Sequence, residues 1–164
     1  MKVTEGKKIY FASDNHLGIP DSRSSLVREK KFVKWLDTIK VDAHSIYLLG
    51  DLFDFWFEYK TVVPKGFTRV LGKIAEIADS GTPIYFFTGN HDMWVRDYFQ
   101  LELGVKVITE PQQFKINEKS FFIGHGDGLG PGDTSYKLMK KFITGNRFFK
   151  WCFRWVHPDI GVKL

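Results

Sequence analysis

Short apolar runs, each closing on a small residue and then a polar one, punctuate the first 125 residues. They read Ile9-Tyr10-Phe11-Ala12-Ser13-Asp14, Ile46-Tyr47-Leu48-Leu49-Gly50-Asp51, Ile84-Tyr85-Phe86-Phe87-Thr88-Gly89-Asn90 and Phe121-Phe122-Ile123-Gly124-His125. Runs this short and this apolar suit strands buried on both faces. Helical spacing fills the intervals between the first three. Ser24 or Ser25 is placed to cap a helix whose apolar positions Phe32, Trp35, Leu36 and Ile39 share a face. A second helix follows Pro64, carries Phe67, Val70, Leu71, Ile74 and Ile77 on one side, and stops near Gly81 and Pro83. A third is predicted from Asp92 to Leu103, ending at Gly104.

Beyond Gly104 the period changes. Val105 to Thr109 and Gln113 to Ile116 read as strands, and Asn117-Glu118-Lys119 as a hairpin turn into Phe121. Pro131-Gly132-Asp133-Thr134 then opens a mostly helical tail that Gly145-Asn146 divides in two. Strands alternating with helices imply a mainly parallel sheet. Such sheets bind ligands beyond the carboxyl ends of their strands. Asp14, Asp51, Asn90 and His125 fall at those ends, so the pattern itself predicts a shared site.

Composition narrows the setting. The 164 residues suit one compact domain. With 43% hydrophobic residues, 26% charged and 6 Pro, they are those of a folded protein. Cys152 is the single cysteine, which excludes an internal disulfide and a thiolate zinc site and points to a reducing compartment. No apolar run approaches the roughly 20 residues of a spanning helix, so secretion and transmembrane anchoring are disfavoured. The net charge of +5 is local: residues 134–164 hold seven Lys or Arg against Asp159 alone, and residues 1–133 are slightly acidic. That suits a basic arm facing an acidic partner.

The polar residues at the strand ends carry metal chemistry. Asp14-x-His16 offers a carboxylate and an imidazole on one loop; Asp51 follows 35 residues after His16, and His125 35 residues after Asn90. Imidazole and carboxylate together suit Mn²⁺, Fe or Zn²⁺ better than Ca²⁺. Glycines before Asp51, Asn90 and His125 permit tight turns and close approach to a bound anion. Taken singly, Asp14, Asp51 and Asn90 are as well explained as caps or turn residues. Their joint register favours a metal site.

Asp14-x-His16, Gly50-Asp51-x-x-Asp54, Gly89-Asn90-His91-Asp92 and Gly124-His125 resemble, in order and spacing, the motifs of the calcineurin-like metallophosphoesterases. The resemblance implies an α/β fold, a β-sandwich flanked by helices in four layers (αββα). It also implies two divalent cations, Mn²⁺ first with Fe or Zn²⁺ as alternatives. Asp14 and His16 would hold one cation, Asn90 and His125 the other, with Asp51 bridging. His91 and Asp54 would form a catalytic pair in which the acid orients the ring and favours its protonated form. The family's later Gly-His-x-His motif does not follow His125 before Leu164, so the chain is expected to lack the final strands and one ligand for each metal.

Within that family, Gly50-Asp51-Leu52-Phe53-Asp54-Phe55-Trp56 and His125-Gly126-Asp127-Gly128-Leu129, with Asp133 beyond, resemble the group that hydrolyses UDP-2,3-diacylglucosamine in lipid A synthesis. That likeness implies release of UMP and 2,3-diacylglucosamine 1-phosphate, and a cytoplasmic protein held peripherally at the inner membrane. It also implies a core over residues 1–133 and a helical cap over 134–164, with Asp133, Tyr136 and Asn90 as substrate contacts. The tail fits this on physical grounds. Phe142, Phe148, Phe149, Trp151, Phe153 and Trp155 interleave with Lys140, Lys141, Arg147, Lys150 and Arg154, apolar groups for acyl chains and cations for phosphates. One departure is His91, where well-known members of the group carry Arg. Two other readings stay open: a different phosphoesterase acting on nucleotides or nucleic acid, and a non-catalytic scaffold.

Overall fold

The structure, a computed structural model, describes residues 1–128, 130 and 146–158. Four parallel strands, β1 (Lys8–Ala12), β2 (Ala43–Leu49), β3 (Ile84–Phe87) and β4 (Lys106–Ile108), lie side by side in chain order. Helices α1 (Ser22–Ile39), α2 (Thr68–Asp79) and α3 (Tyr98–Leu101) make the crossovers. Right-handed crossovers that always step the same way put their helices on one face of the sheet. Side-chain alternation along the strands then divides two cores. Ile46, Leu48, Ile84 and Phe86 point to the helices and meet Leu36, Ile39, Val70, Ile74 and Ile77. Tyr47, Leu49, Tyr85 and Phe87 point the other way.

That second face is covered by a two-stranded antiparallel sheet, β5 (Gln112–Ile116) and β6 (Lys119–Ile123). Ile116, Ile123 and Phe114 pack on Tyr47 and Phe87, with Tyr47 stacked on Tyr85 at 4.6 Å and edge-on to Phe114 at 5.5 Å. Asn117 and Glu118 make the turn, both at positive φ (45° and 67°), the conformation that a two-residue hairpin loop demands. Helices, parallel sheet and second sheet are thus stacked as the α/β sandwich requires. Among the described residues no helical layer covers the outside of β5 and β6.

Several local expectations are corrected. The Phe121 run is not a strand buried on both faces: β6 pairs antiparallel, and Phe122 is 68% exposed. Helix α1 is capped by Asp21, whose carboxylate accepts from Arg23 N and Ser24 N. Ser25 is instead buried, its hydroxyl accepting from Gly18 N at 2.7 Å. The helix expected over Asp92 to Leu103 shrinks to the single turn of α3. Asp92 is buried and spends its carboxylate on loop amides, while Glu58 accepts from Asp97 N and Tyr98 N and fixes the start of α3 there.

Buried acids also set the other elements. Phe67, before α2, sits at φ 57° and offers no side-chain cap; Glu29 reaches across from α1, and its Oε1 accepts from Arg69 N and Val70 N. The last element, α4 (Arg147–Phe153), starts after Asn146, whose side chain accepts from Phe148 N, and so gives the second of the two tail pieces expected after Gly145-Asn146. The expected turn at Pro131 to Thr134 and the first piece of the tail helix lie outside the described residues.

Candidate metal centre

The ends of β1, β2 and β3 run into three loops tied edge to edge. His16 N donates to Asp51 O at 2.9 Å, Leu17 N to Leu52 O at 3.0 Å, and Asp54 N back to Leu17 O at 2.9 Å. Asp14, His16 and Asp51 all hold positive φ (55°, 42° and 52°), a left-handed conformation that L residues other than glycine adopt at a cost. Strain of this kind collects where side chains must be aimed. The glycines serve the loops themselves. A Cβ on Gly50 would lie 2.7 Å from Gly89 Cα and from His125 Nδ1, and one on Gly89 would collide with the Asp51 carboxylate. They let β2, β3 and the His125 loop touch, as the expected tight turns require.

Asp51 is the centre. It is buried, its Oδ1 accepting from His91 N at 3.0 Å. Its Oδ2 lies 3.3 Å from His125 Nε2 and 3.9 Å from His16 Nε2. The His125 ring is oriented through its other nitrogen: Nδ1 faces Leu49 O at 2.7 Å, and since a carbonyl only accepts, that nitrogen carries the hydrogen. Nε2 therefore turns toward Asp51 Oδ2 and, at 3.2 Å, Asn90 Oδ1. Those three atoms converge with no donor hydrogen among them except one on Nε2 itself, so the locus takes a proton or a cation. Two ligands about 2.0 Å from one tetrahedral ion lie about 3.3 Å apart, the spacing seen here. An imidazole fixed by a backbone carbonyl is also how metal-bound histidines are held.

The electrostatics agree. The Asp51 carboxylate, opposed by burial and aided by Leu49 O, draws the His125 pKa up to about 9. Burial alone would raise Asp51, but the hydrogen bonds from His125 and the His91 amide outweigh it and leave Asp51 below the usual carboxylate range. Both shifts show a position that favours positive charge at Nε2.

A second cluster lies beside the first. Asp54 Oδ1 is 3.4 Å from His16 Nδ1 and 3.4 Å from His91 Nδ1, and the two rings meet edge-on at 4.8 Å. The expected Asp54–His91 pair is present in a modified form. The ring is held chiefly by the Asp54 main chain, with His91 Nδ1 donating to Asp54 O at 2.8 Å. Two ligand groups result, Asp14 with His16 and Asp51, and His16 with Asp54 and His91. The structure thus brings Asp14, His16, Asp51, Asn90 and His125 together, with Asp54 and His91 adjoining. Asp133 and Tyr136 lie outside the described residues.

The sequence reading assigned no role to Asp92. Wholly buried, it accepts from Gly89 N (2.8 Å), Leu52 N (2.9 Å) and Asp51 N (3.3 Å), and so ties the β2 loop to the β3 loop. Burial pushes its pKa up to about 6, with the Gly89 amide pulling the other way. Its place inside Gly89-Asn90-His91-Asp92 was the signal; its direction could not be seen without the fold. The aromatics flanking the site serve packing: Trp56 is fully buried with its indole N–H on Glu58. Trp94, Phe55 and Phe57 receive Phe153 of α4, at 5.0, 6.3 and 4.6 Å between ring centres.

A cluster of carboxylates and imidazoles that could hold a cation, set at the carboxyl ends of parallel strands, points to the class. The chain belongs to the calcineurin-like phosphoesterase family, whose model matches residues 7–154. Membership implies divalent metal ions, and the donor set described above fits them. Among its relatives, the UDP-2,3-diacylglucosamine hydrolase of Porphyromonas gingivalis is 48% identical over 158 residues, which are 96% of this chain and 60% of that protein. Proteins of the same name from Histophilus somni and Actinobacillus succinogenes are each 30% identical, over 96% of this chain and 64% of theirs. The chain thus spans 60–64% of the length of these relatives. Among the described residues no helix is long and apolar enough to cross a membrane.

Proposed function

We propose that the protein hydrolyses the pyrophosphate bond of UDP-2,3-diacylglucosamine, giving UMP and 2,3-diacylglucosamine 1-phosphate. The observation that supports this most directly is Asp51 Oδ2, set between the imidazoles of His16 and His125 where three strand-end loops meet. The relatives' name supplies the substrate. Asp14, His16 and Asp51 would hold one divalent cation, and Asp51, Asn90 and His125 the other, with Mn²⁺ the preferred ion. Bound there, the pair supplies Lewis acidity toward the phosphoryl oxygens and an activated water.

The chain's own residues do the rest. Leu49 O and the buried Asp51 fix the His125 ring, so Nε2 stays aimed at the cation position. Asp54 O holds His91 Nδ1 and turns Nε2 outward. A protonated His91 then places Nε2–H on the phosphoryl group and gives that proton to the leaving oxygen. Asn90 also contacts the phosphate, and Asp133 and Tyr136 the rest of the substrate. Residues 1–133 form the core and 134–164 a cap. Phe148, Trp151 and Trp155, spaced along one side of α4 and its end, are all exposed and pack in sequence, Phe148 on Trp151 and Trp151 on Trp155. With Arg154 beside them they suit the acyl chains and the phosphates of a cytoplasmic membrane surface.

The test incubates the purified protein and Mn²⁺ with UDP-2,3-diacylglucosamine or single-stranded DNA and follows UMP and nucleotide release. UMP from the lipid substrate alone is expected. Cleavage of DNA with no UMP would replace the lipid with a nucleic acid, and Mn²⁺ content unchanged in Asp51→Ala would remove the ligand set.

A further inference from the structure

His16 offers its two ring nitrogens to two different ligand groups. Nε2 faces Asp14 Oδ1 and Asp51 Oδ2, each at 3.9 Å, while Nδ1 faces Asp54 Oδ1 at 3.4 Å. That Nδ1 is shielded from solvent and has no hydrogen-bond partner, an arrangement that costs free energy unless something else satisfies it. Across from it stands His91, whose ligand atom with those of Asp54 and His16 falls within a 4.8 Å cluster. Two imidazoles and one carboxylate, partly open to solvent, form the donor set of a three-ligand zinc site that keeps its fourth position for water. The 3.4 Å spacings to Asp54 Oδ1 match the edge of about 3.3 Å expected for such an ion.

We propose that His16 Nδ1, Asp54 and His91 form an alternative position for a zinc-type divalent metal, and that filling it inhibits the enzyme. The ion replaces the hydrogen that His91 Nδ1 gives to Asp54 O: the protonated ring releases that proton to solvent and keeps the one on Nε2, so a neutral imidazole ligates. It engages His91 and Asp54 and draws on the lone pairs of His16, so it opposes the cation that Nε2 would hold. Two imidazoles to one carboxylate select the occupant. Such a site binds Zn²⁺ or Co²⁺ more tightly than Mn²⁺, and Mg²⁺ least.

The inhibition, though not the site, rests on the ligand roles proposed above for His16 and Asp51. The test therefore begins in Asp51→Ala protein, in which the paired site is dismantled. Calorimetric titration with Zn²⁺ is expected to show an equivalent that is weakened about tenfold or more when His91→Ala is added, the scale on which metal sites respond to loss of a supporting group. Co²⁺ absorbance gives an independent readout of the nitrogen donors. His91 lies partly exposed at a loop surface; far-ultraviolet circular dichroism confirms that the double variant is folded, and Asp54→Asn replaces it where it is not. An equivalent whose affinity is the same with and without His91, or no Zn²⁺ uptake in Asp51→Ala, overturns the site. In the unsubstituted protein loaded with Mn²⁺, added Zn²⁺ is expected to lower turnover. Loss of Mn²⁺ binding in Asp51→Ala judges the paired site separately.

Discussion

Replacing Asp92 by Ala measures what holds the site's loops together. The carboxylate is wholly buried and accepts three backbone N–H groups, from Gly89, Leu52 and Asp51. Alanine leaves all three without acceptors and too deep for water. A buried orphan donor costs about 1–3 kcal/mol. Taking the two short bonds at the middle of that range and the 3.3 Å one at its foot gives about 5 kcal/mol. Against this stands the cost of keeping a carboxylate ionised in the interior, which holds the pKa up at about 6 even after those amides have pulled it down. Alanine removes that cost as well, so the net loss falls below the cost of the orphaned donors alone, to about 2 kcal/mol.

For a chain of this size that lowers Tm by about 4–8 °C, read by calorimetry at neutral pH. Asp92→Asn separates the two terms. Its oxygen still accepts from Gly89 N and Asp51 N, which both bond Oδ1, while its amide faces Leu52 N–H, donor to donor. One orphan donor set against the lost charge leaves this variant near the unsubstituted Tm. An Ala variant that melts with the unsubstituted protein, or an Asn variant less stable than Ala, would refute the assignment of Asp92 as the tie between loops.

Three other substitutions probe separate links. Gly50→Ala drives a methyl to 2.7 Å from Gly89 and His125 at φ 86°, and is expected to lose about 1–3 kcal/mol from crowding with further strain, seen as a lower urea midpoint. Glu29→Ala uncaps α2 and is expected to cost about 1–2 kcal/mol, whereas Glu29→Gln keeps the accepting oxygen and holds near the original Tm, because both amides bond Oε1. Trp151→Ala with Trp155→Ala removes two exposed indoles and is expected to reduce co-sedimentation with anionic lipid vesicles without changing Tm.

Much of the fold was legible because its strands are short apolar runs bounded by glycines, a pattern that propensity and burial read the same way. The turn at Asn117-Glu118 and the helix start at Asn146 followed from residues that tolerate positive φ or cap a helix. The failures share a cause. Asp21, Glu29, Glu58 and Asp92 each act through a buried or capping carboxylate. For three of them the partner amides lie 3 to 41 positions away, and only Asp21 keeps its bonds local. An acid of that kind reads as solvent-exposed in a linear pattern. Asp92 in particular reads as the first turn of a helix, which is why the third helix was drawn six residues too long at its start.

The same residues explain why the candidate metal centre was easier to place than to describe. The residue types of the proposed ligands are legible, since Asp14, His16, Asp51, Asn90 and His125 sit at motif positions. What aims them is not written there. Three of those five bear positive φ, a fourth, His125, rests against a glycine that admits no Cβ, and the β2 loop is held by Asp92 from beyond another strand. Backbone held in a costly conformation persists only where surrounding bonds over-determine it. At Asp51 those bonds are the His91 amide on its side chain and the Asp92 carboxylate on its own amide. The neighbourhood of Asp51 is therefore rigid before any cation arrives, and its two faces, toward His16 and toward His125, are set by the protein and not by what it binds.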